Sequence, residues 1–408
     1  MRIAMVTDYY LPTLGGIQTS IKAQKDALEA LGHQVTVCAP AFDRLPDPAD
    51  LALPFIGLSR KLGYPLAGMS RPVLDTLRSH FDRVGNPDLI HCHSDLLAGI
   101  MGVRLAQERH LPLVQSMHGR EDVFVPSVMP ASGLVTLIWE RWHHHYIPHD
   151  QVTITPDRDN ARTGTARRMW RVMVAHANAA DQVIVPSDHM RRRLVKYGLI
   201  KPASVVSNGI PGATLDQIGQ PTPRQPATGE PLRVVWCGRV SAEKRPLEFL
   251  AGVAQATGRL EVDMFGDGFV MAKARQFVTD HGLADRVRLH GGVPQAEVLA
   301  AMKQAHVFVQ TSFDCDTQAM TLLEAVSTGL PVIYCDPDLG EPLPAEGRLL
   351  TSTPDPADIA AALDQLAHDP GRVAQMSQAM VEQRAIAYQD SHTATLLSVY
   401  EQALASPR

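Results

Sequence analysis

Residues 2–40 read RIAMVTDYYLPTLGGIQTSIKAQKDALEALGHQVTVCAP. RIAMVTD (2–8) is a short apolar run closed by an acidic residue, the pattern of a buried strand. IQTSIKAQKDALEALG (17–32) has the apolar spacing of an amphipathic helix and stops at Gly32. QVTVCAP (34–40) is the next strand. Two strands joined through a helix make a βαβ unit, so the sheet is parallel and helices cover it. The alternation continues through DLIHCHS (88–94), LPLVQSMHG (111–119) and QVIVPS (182–187). It restarts with LRVVWCG (232–238), LEVDMFG (260–266), VRLHGG (287–292), AHVFVQTS (305–312) and GLPVIYC (329–335). Between the two series, residues 211–231 are rich in Pro and Gly and lack apolar periodicity, which predicts a linker.

The expected architecture is therefore α/β, with two doubly wound, Rossmann-like domains facing a cleft. Residues 1–210 form the first and 232–391 the second, and a terminal helix from about 392 to 408 crosses back onto the first. The length of 408 residues agrees, being about twice what one core organises. With 45% hydrophobic and 20% charged residues the chain is neither disordered nor fibrous. No apolar run reaches the roughly 18 residues of a membrane-spanning helix, and Asp8 interrupts what would be the core of a secretory signal. Five cysteines, an odd number without a CxxC pair, suit a reducing cytoplasm.

Charge is uneven. Residues 1–210 hold 23 Lys+Arg against 19 Asp+Glu, whereas residues 211–408 hold 15 against 24. Nine of the basic residues fall within 158–196, against three acidic ones. A local basic surface on an acidic protein points to a localised anionic partner rather than nucleic acid. Arg158, Arg167, Arg168, Arg171, Arg191, Arg192, Arg193 and Lys196, with Trp139, Trp142 and Trp170, suggest an anionic membrane surface. The alternative is an ordinary solvated helix face.

Three constellations can carry chemistry. Gly15-Gly16 opens the first helix, where close backbone approach and the helix N-terminus favour an anionic ligand. Gly238-Arg239 and Lys244 follow the first strand of the second half, and two cations there can clamp a diphosphate. In VFVQTSFDCDTQAMTLLEAVSTGLPVIYC (307–335), Asp316 and Glu324 lie across a strand–loop–helix junction with Glu324 expected in the first helical turn. Both are placed to accept hydrogen bonds from sugar or ribose hydroxyls, and the amides near Thr321 to Leu323 to bind phosphate.

Together the GG loop, GRVSAEKR (238–245), MFGDGF (264–269), VRLHGGV (287–293), the D-x7-E segment and PDPADIAAALDQLAHDP (354–370) resemble the GT-B-fold retaining glycosyltransferases of family GT4. The resemblance implies that Arg239 and Lys244 bind the nucleotide diphosphate and that Glu324 binds ribose. Asp316, where the family has Glu, would meet the donor sugar, and His118 would stand near the transferred sugar. Gly266-Asp267-Gly268 would line the cleft, and Gly238, Ala319, Met320, Thr321, Leu322 and Leu323 would complete the donor site. TQAMTLLEA (317–325) is most similar to the subgroup that glycosylates diacylglycerol. The implied reaction moves a hexose from a nucleoside-diphosphate sugar, such as a UDP-hexose, to a glycerolipid or saccharide hydroxyl, without metal or other cofactor.

Asp314-Cys315-Asp316 also has the form of a metal-binding DxD, but the second αβ half with its own cations favours GT-B, leaving Asp314 as loop surface. His143-His144-His145 would diverge on a helix, against a metal site. A nucleotide-sugar epimerase on the same fold and a non-catalytic sugar-nucleotide-binding module remain open alternatives at this point.

Overall fold

The computed structural model describes residues 1–13, 15–62, 65–68, 70–128, 131–149, 152, 154 and 162–406. The chain divides into two compact units, Met1–Asn208 with His392–Arg408, and Gly209–Ser391.

The first unit is built from β1 (Arg2–Val6), α1 (Gly16–Ala30), β2 (Gln34–Pro40), β3 (Leu51–Leu53), α2 (Ser70–Val84), β4 (Leu89–Cys92), α3 (Leu97–Arg109), β5 (Leu113–Ser116), α4 (Glu121–Val128), α5 (Ser132–Tyr146), α6 (Gly164–Asn178), β6 (Gln182–Val185), α7 (Asp188–Lys196) and β7 (Ala203–Val205). Its seven strands are parallel, in the order β3-β2-β1-β4-β5-β6-β7. β1 shows why this sequence makes such a sheet. Ala4 and Val6 enter one core while Ile3 and Met5 enter the core on the opposite face, so positions 3 to 6 are all apolar.

The second unit contains α8 (Gly212–Ile218), β8 (Leu232–Cys237), α9 (Pro246–Gln255), β9 (Leu260–Phe265), α10 (Met271–Asp280), β10 (Val287–Gly291), α11 (Gln295–Gln304), β11 (Val307–Gln310), α12 (Met320–Ser327), β12 (Val332–Tyr334), β13 (Arg348–Leu350), α13 (Pro356–His368) and α14 (Pro370–Glu382). Its six parallel strands run β10-β9-β8-β11-β12-β13. In each sheet the order reverses beside the first strand, between β1 and β4 and between β8 and β11. Ligands of open parallel sheets bind outside the strands' carboxyl ends at such a point. The last helix, α15 (Gln389–Ala405), buries Leu396, Val399, Tyr400 and Ala403 in a core with Ile3 and Met5 of the first unit.

The expected linker at 211–231 is a packed part of the second unit. It begins with α8, whose Ile218 is buried, and its Arg224 is 8% exposed. The Arg224 guanidinium donates to the carbonyls of Met302 (2.8 Å), Ala305 (3.2 Å) and Thr328, and its backbone N–H to Ser377 Oγ (2.9 Å). One cation thus satisfies the carboxyl ends of α11 and α12, where carbonyls are orphaned and the dipole favours positive charge. Low apolar periodicity concealed this because the anchor is polar. Arg224→Met keeps the stem but bares those carbonyls, at about 1–3 kcal/mol for each one left buried. A melting temperature several degrees lower in a thermal scan is expected, and an unchanged one would make the segment a passive tether.

The basic stretch is divided between two helices. Trp170, expected at a membrane surface, is fully buried against Tyr197 and beneath the Arg120 guanidinium. Arg171 pairs with Glu140 (2.6 Å), Arg168 donates to Thr136 Oγ1 and the Gly133 carbonyl, Arg191 and Arg192 pair with Asp188, and Arg193 is buried. Arg158 lies outside the described residues. Arg167 is exposed. The three adjacent histidines diverge: His143 is buried between His149 (2.7 Å) and His176 (3.2 Å), whereas His144 and His145 are exposed.

Candidate active site

The carboxyl ends of β8, β9 and β11 bring most of the expected donor residues into one unit. β8 ends at Cys237, and the chain runs through Gly238 and Arg239 into a short 3-10 turn, Ala242–Lys244. Arg239 is exposed. The Lys244 ammonium forms an ion pair with the Asp316 carboxylate, which Gln310 Nε2 approaches at 3.3 Å. Burial by itself would push the Lys244 ammonium down, but the facing carboxylate of Asp316 outweighs it and leaves the group above its ordinary value. The two residues that the sequence assigned separately to diphosphate and sugar therefore touch. Thr311 Oγ1 fastens the arrangement by donating to the Lys244 carbonyl (2.7 Å) while accepting from Trp236 Nε1 (2.9 Å).

The glycine turn is held by close backbone approach. The N–H of Gly238 donates to the Phe265 carbonyl (3.1 Å) and that of Val240 to the Asp267 carbonyl (3.0 Å). Gly266 has φ +125°, and a Cβ there would lie 1.8 Å from the Gly238 carbonyl oxygen. At Gly268 a Cβ would fall 2.5 Å from the Val240 oxygen. These glycines let the loops after β8 and β9 meet, leaving the Asp267 side chain exposed.

Asp314 is only partly exposed, contrary to a plain surface role. It adopts φ +49°, and its N–H donates to Asp336 Oδ2 (2.6 Å), pinning the loop after β11 to the loop after β12. The other acidic residue of the pair behaves differently from expectation. α12 begins at Met320, so Glu324 sits beyond its first turn and is buried at 7% exposure. Gln295 Nε2 donates to its Oε1 at 2.5 Å. Burial pushes the Glu324 carboxyl up to about 7, against the lowering effect of Gln295. Ala319, Met320, Thr321, Leu322 and Leu323 form the entry to this helix, which has no side-chain cap. Such an N-terminus favours an anion.

Gly15, Gly16 and His118 belong to the first unit. Gly15 is the residue before α1, and a Cβ on it would meet the Gln18 amide at 2.5 Å. His118 follows β5, its Nε2 lies 3.0 Å from His93 Nδ1, and burial pushes it down to about 4, so it is neutral. Sequence reading missed His93, Asp95, Glu121, Gln295, Gln310 and Asp336. The only signal for Glu121 was its place three residues after His118 at the start of α4. Asp8, two residues after β1, is occupied structurally: its carboxyl accepts from the N–H groups of Ala98 and Gly99 and from Ser94 Oγ, satisfying the start of α3.

Two doubly wound parallel sheets with these strand orders, one in each unit, are the GT-B architecture. The profile described as Glycosyltransferase Family 4 matches residues 14–212, and that described as Glycosyl transferases group 1 matches residues 231–369. The chain belongs to the GT4-like glycosyltransferases. It is similar to the alpha-monoglucosyldiacylglycerol synthase of Streptococcus pneumoniae, 24% identical over 351 residues that cover 82% of this chain and 70% of that protein. The GDP-mannose-dependent alpha-mannosyltransferase of Mycolicibacterium smegmatis is 26% identical over 352 residues, covering 84% and 81%. Among solved structures, an Anabaena protein crystallised in complex with UDP matches with a TM-score of 0.67 at 16% identity, covering 98% of this chain and 100% of that one.

Proposed function

We propose that this glycosyltransferase moves a hexose from a UDP-sugar to a hydroxyl of a membrane glycerolipid, with retention of anomeric configuration. The observation that carries the reading is Lys244 held by Asp316 at the carboxyl edge of the second sheet, close in sequence to Arg239. As the glycosidic bond breaks, negative charge builds on the leaving diphosphate. Fixed cations aimed at that charge stabilise the transition state more than the ground state. Arg239 and Lys244 supply the cations, the amides opening α12 supply further donors, and Asp316 accepts from hydroxyls of the sugar. Glu324 binds the ribose. The two cations take the part that a metal plays in other glycosyltransferases, so the reaction needs none.

The UDP of the Anabaena structure supports the base, and the diacylglycerol of the Streptococcus enzyme's name supports the acceptor. A peripheral membrane contact is supported by α5, whose Leu134, Leu137 and Ile138 are 61%, 45% and 60% exposed along one face, with Arg141 exposed one turn further on. Apolar residues beside cations suit an anionic bilayer surface. Among the described residues no helix is long and apolar enough to cross a membrane.

The test is transfer from radiolabelled UDP-glucose to diacylglycerol in anionic and in neutral vesicles, with and without EDTA. Labelled glycolipid should form, anionic vesicles should be preferred at low salt, and EDTA should leave the rate largely intact. Abolition by EDTA with rescue by Mn²⁺ would restore the DxD reading, and salt-indifferent activity on both vesicles would remove the membrane contact.

A further inference from the structure

The first unit carries a polar pocket at the carboxyl end of its sheet. Tyr9, His93, Ser94, Asp95, His118 and Glu121 contribute to its lining. The space among them, about 10 Å³, is that of one water molecule or one hydroxyl group. His93 is 1% exposed, and its Nδ1 meets His118 while its buried Nε2 has no hydrogen-bond partner. An unpartnered, buried ring nitrogen beside a hydroxyl-sized space suits a hydroxyl group, because each such buried group costs stability until it is paired.

The charge in this pocket has one sign. Among the described residues no lysine or arginine lines it. The nearest cation in sequence, Arg120, is turned away into a buried pair with Asp122 (Nε to Oδ1 2.7 Å, Nη2 to Oδ2 2.8 Å) and lies over the Trp170 ring. Burial pushes both imidazoles down, His118 to about 4, so neither supplies a positive charge at neutral pH. The carboxyls of Asp95 and Glu121 remain. Burial pushes Asp95 up to about 6, and burial, then Asp95, raise Glu121 well above the usual range. Carboxyls that share a pocket in this way receive hydroxyls by accepting or donating hydrogen bonds and repel an incoming phosphate.

We propose that Asp95 and Glu121, with His93, form an acceptor subsite that takes an uncharged hydroxyl-bearing group and excludes one carrying a phosphate beside the reacting hydroxyl. This rests on the transferase reading above and narrows its acceptor to neutral polyols, such as the glycerol of a diacylglycerol or a free sugar. Diacylglycerol fits, and a phosphoinositide does not.

The full chain with UDP-glucose is offered two matched pairs, dioleoylglycerol against phosphatidylinositol in detergent micelles, and methyl glucoside against glucose 6-phosphate in solution. The neutral member of at least one pair should show kcat/KM roughly tenfold or more above its anionic partner. Asp95→Asn combined with Glu121→Gln keeps shape and removes the ionisable groups. It should shrink that ratio toward one while leaving the donor KM unchanged and a cooperative melting transition in place. Equal or reversed preference in the natural protein overturns the inference, as does a ratio the double variant leaves intact. Lipids failing while the soluble pair shows the preference removes the glycerolipid reading and keeps the subsite. Donor hydrolysis without transfer to any of the four acceptors overturns both.

Discussion

Lys244→Ala is expected to lower kcat about 100- to 1000-fold, the range for removing one preorganised donor from a developing anion. Arg239→Ala should fall in the same range. Lys244 is the more informative, because it has two duties. In the proposed reaction it faces the leaving group; in the structure it pairs with Asp316, so its removal would also leave a carboxylate unpaired there. The combination Lys244→Ala with Asp316→Asn removes that second penalty. If the loss in Lys244→Ala comes only from the carboxylate left unpaired, the double variant should regain the activity of Asp316→Asn alone. If the cation acts on the diphosphate, recovery should stay below about tenfold, since leaving-group stabilisation is still missing. Steady-state kinetics on the three variants separates the two, and near-normal turnover in Lys244→Ala would end the diphosphate assignment.

Glu324→Gln should raise the donor KM about 10- to 100-fold with a much smaller change in kcat. A hydrogen bond to a charged group contributes roughly 1.5–3 kcal/mol, and a ribose contact is the same in ground and transition states. Collapsed turnover at constant KM would make Glu324 catalytic instead. Its buried carboxyl adds a pH signature. With a folded value near 7 against an ordinary 4.5, the free folded protein holds more protons than the unfolded chain across that window. Stability therefore falls as pH rises from about 4.5 to 7, by on the order of 3 kcal/mol. The glutamine variant lacks this slope, so its melting temperature relative to the natural protein should climb between pH 5 and pH 8. Donor affinity of the natural protein should improve over the same range, as the carboxylate that accepts from the ribose forms.

Much of the fold was legible because buried parallel strands are continuous apolar runs. RIAMV, QVIV and VFVQ needed no partner to be recognised. The three-residue edge strands β3, β7 and β13 were not recognised, since each has too few residues for a pattern and takes its register from its neighbour. The segment 211–231 misled for a related reason: its anchor, Arg224, is a charged residue whose partners are backbone carbonyls some 80 to 100 positions away. Trp170 misled because an indole among arginines reads as interfacial until its neighbours are known.

The same division runs through the site. The sequence by itself determined the order of the interior strands, the two parallel sheets, the residue types at their carboxyl ends and the spacing of Arg239, Lys244, Asp316 and Glu324, because these depend on local periodicity and on turn chemistry near each residue. Only the tertiary structure decided that Lys244 bonds Asp316, 72 residues away, that Gln295 reaches Glu324, and that His93 meets His118 beside Asp95 and Glu121. Ion pairing, proton affinity and pocket size depend on the distance between groups and on how much water is excluded around them, and both are set by the packing of segments remote in the chain.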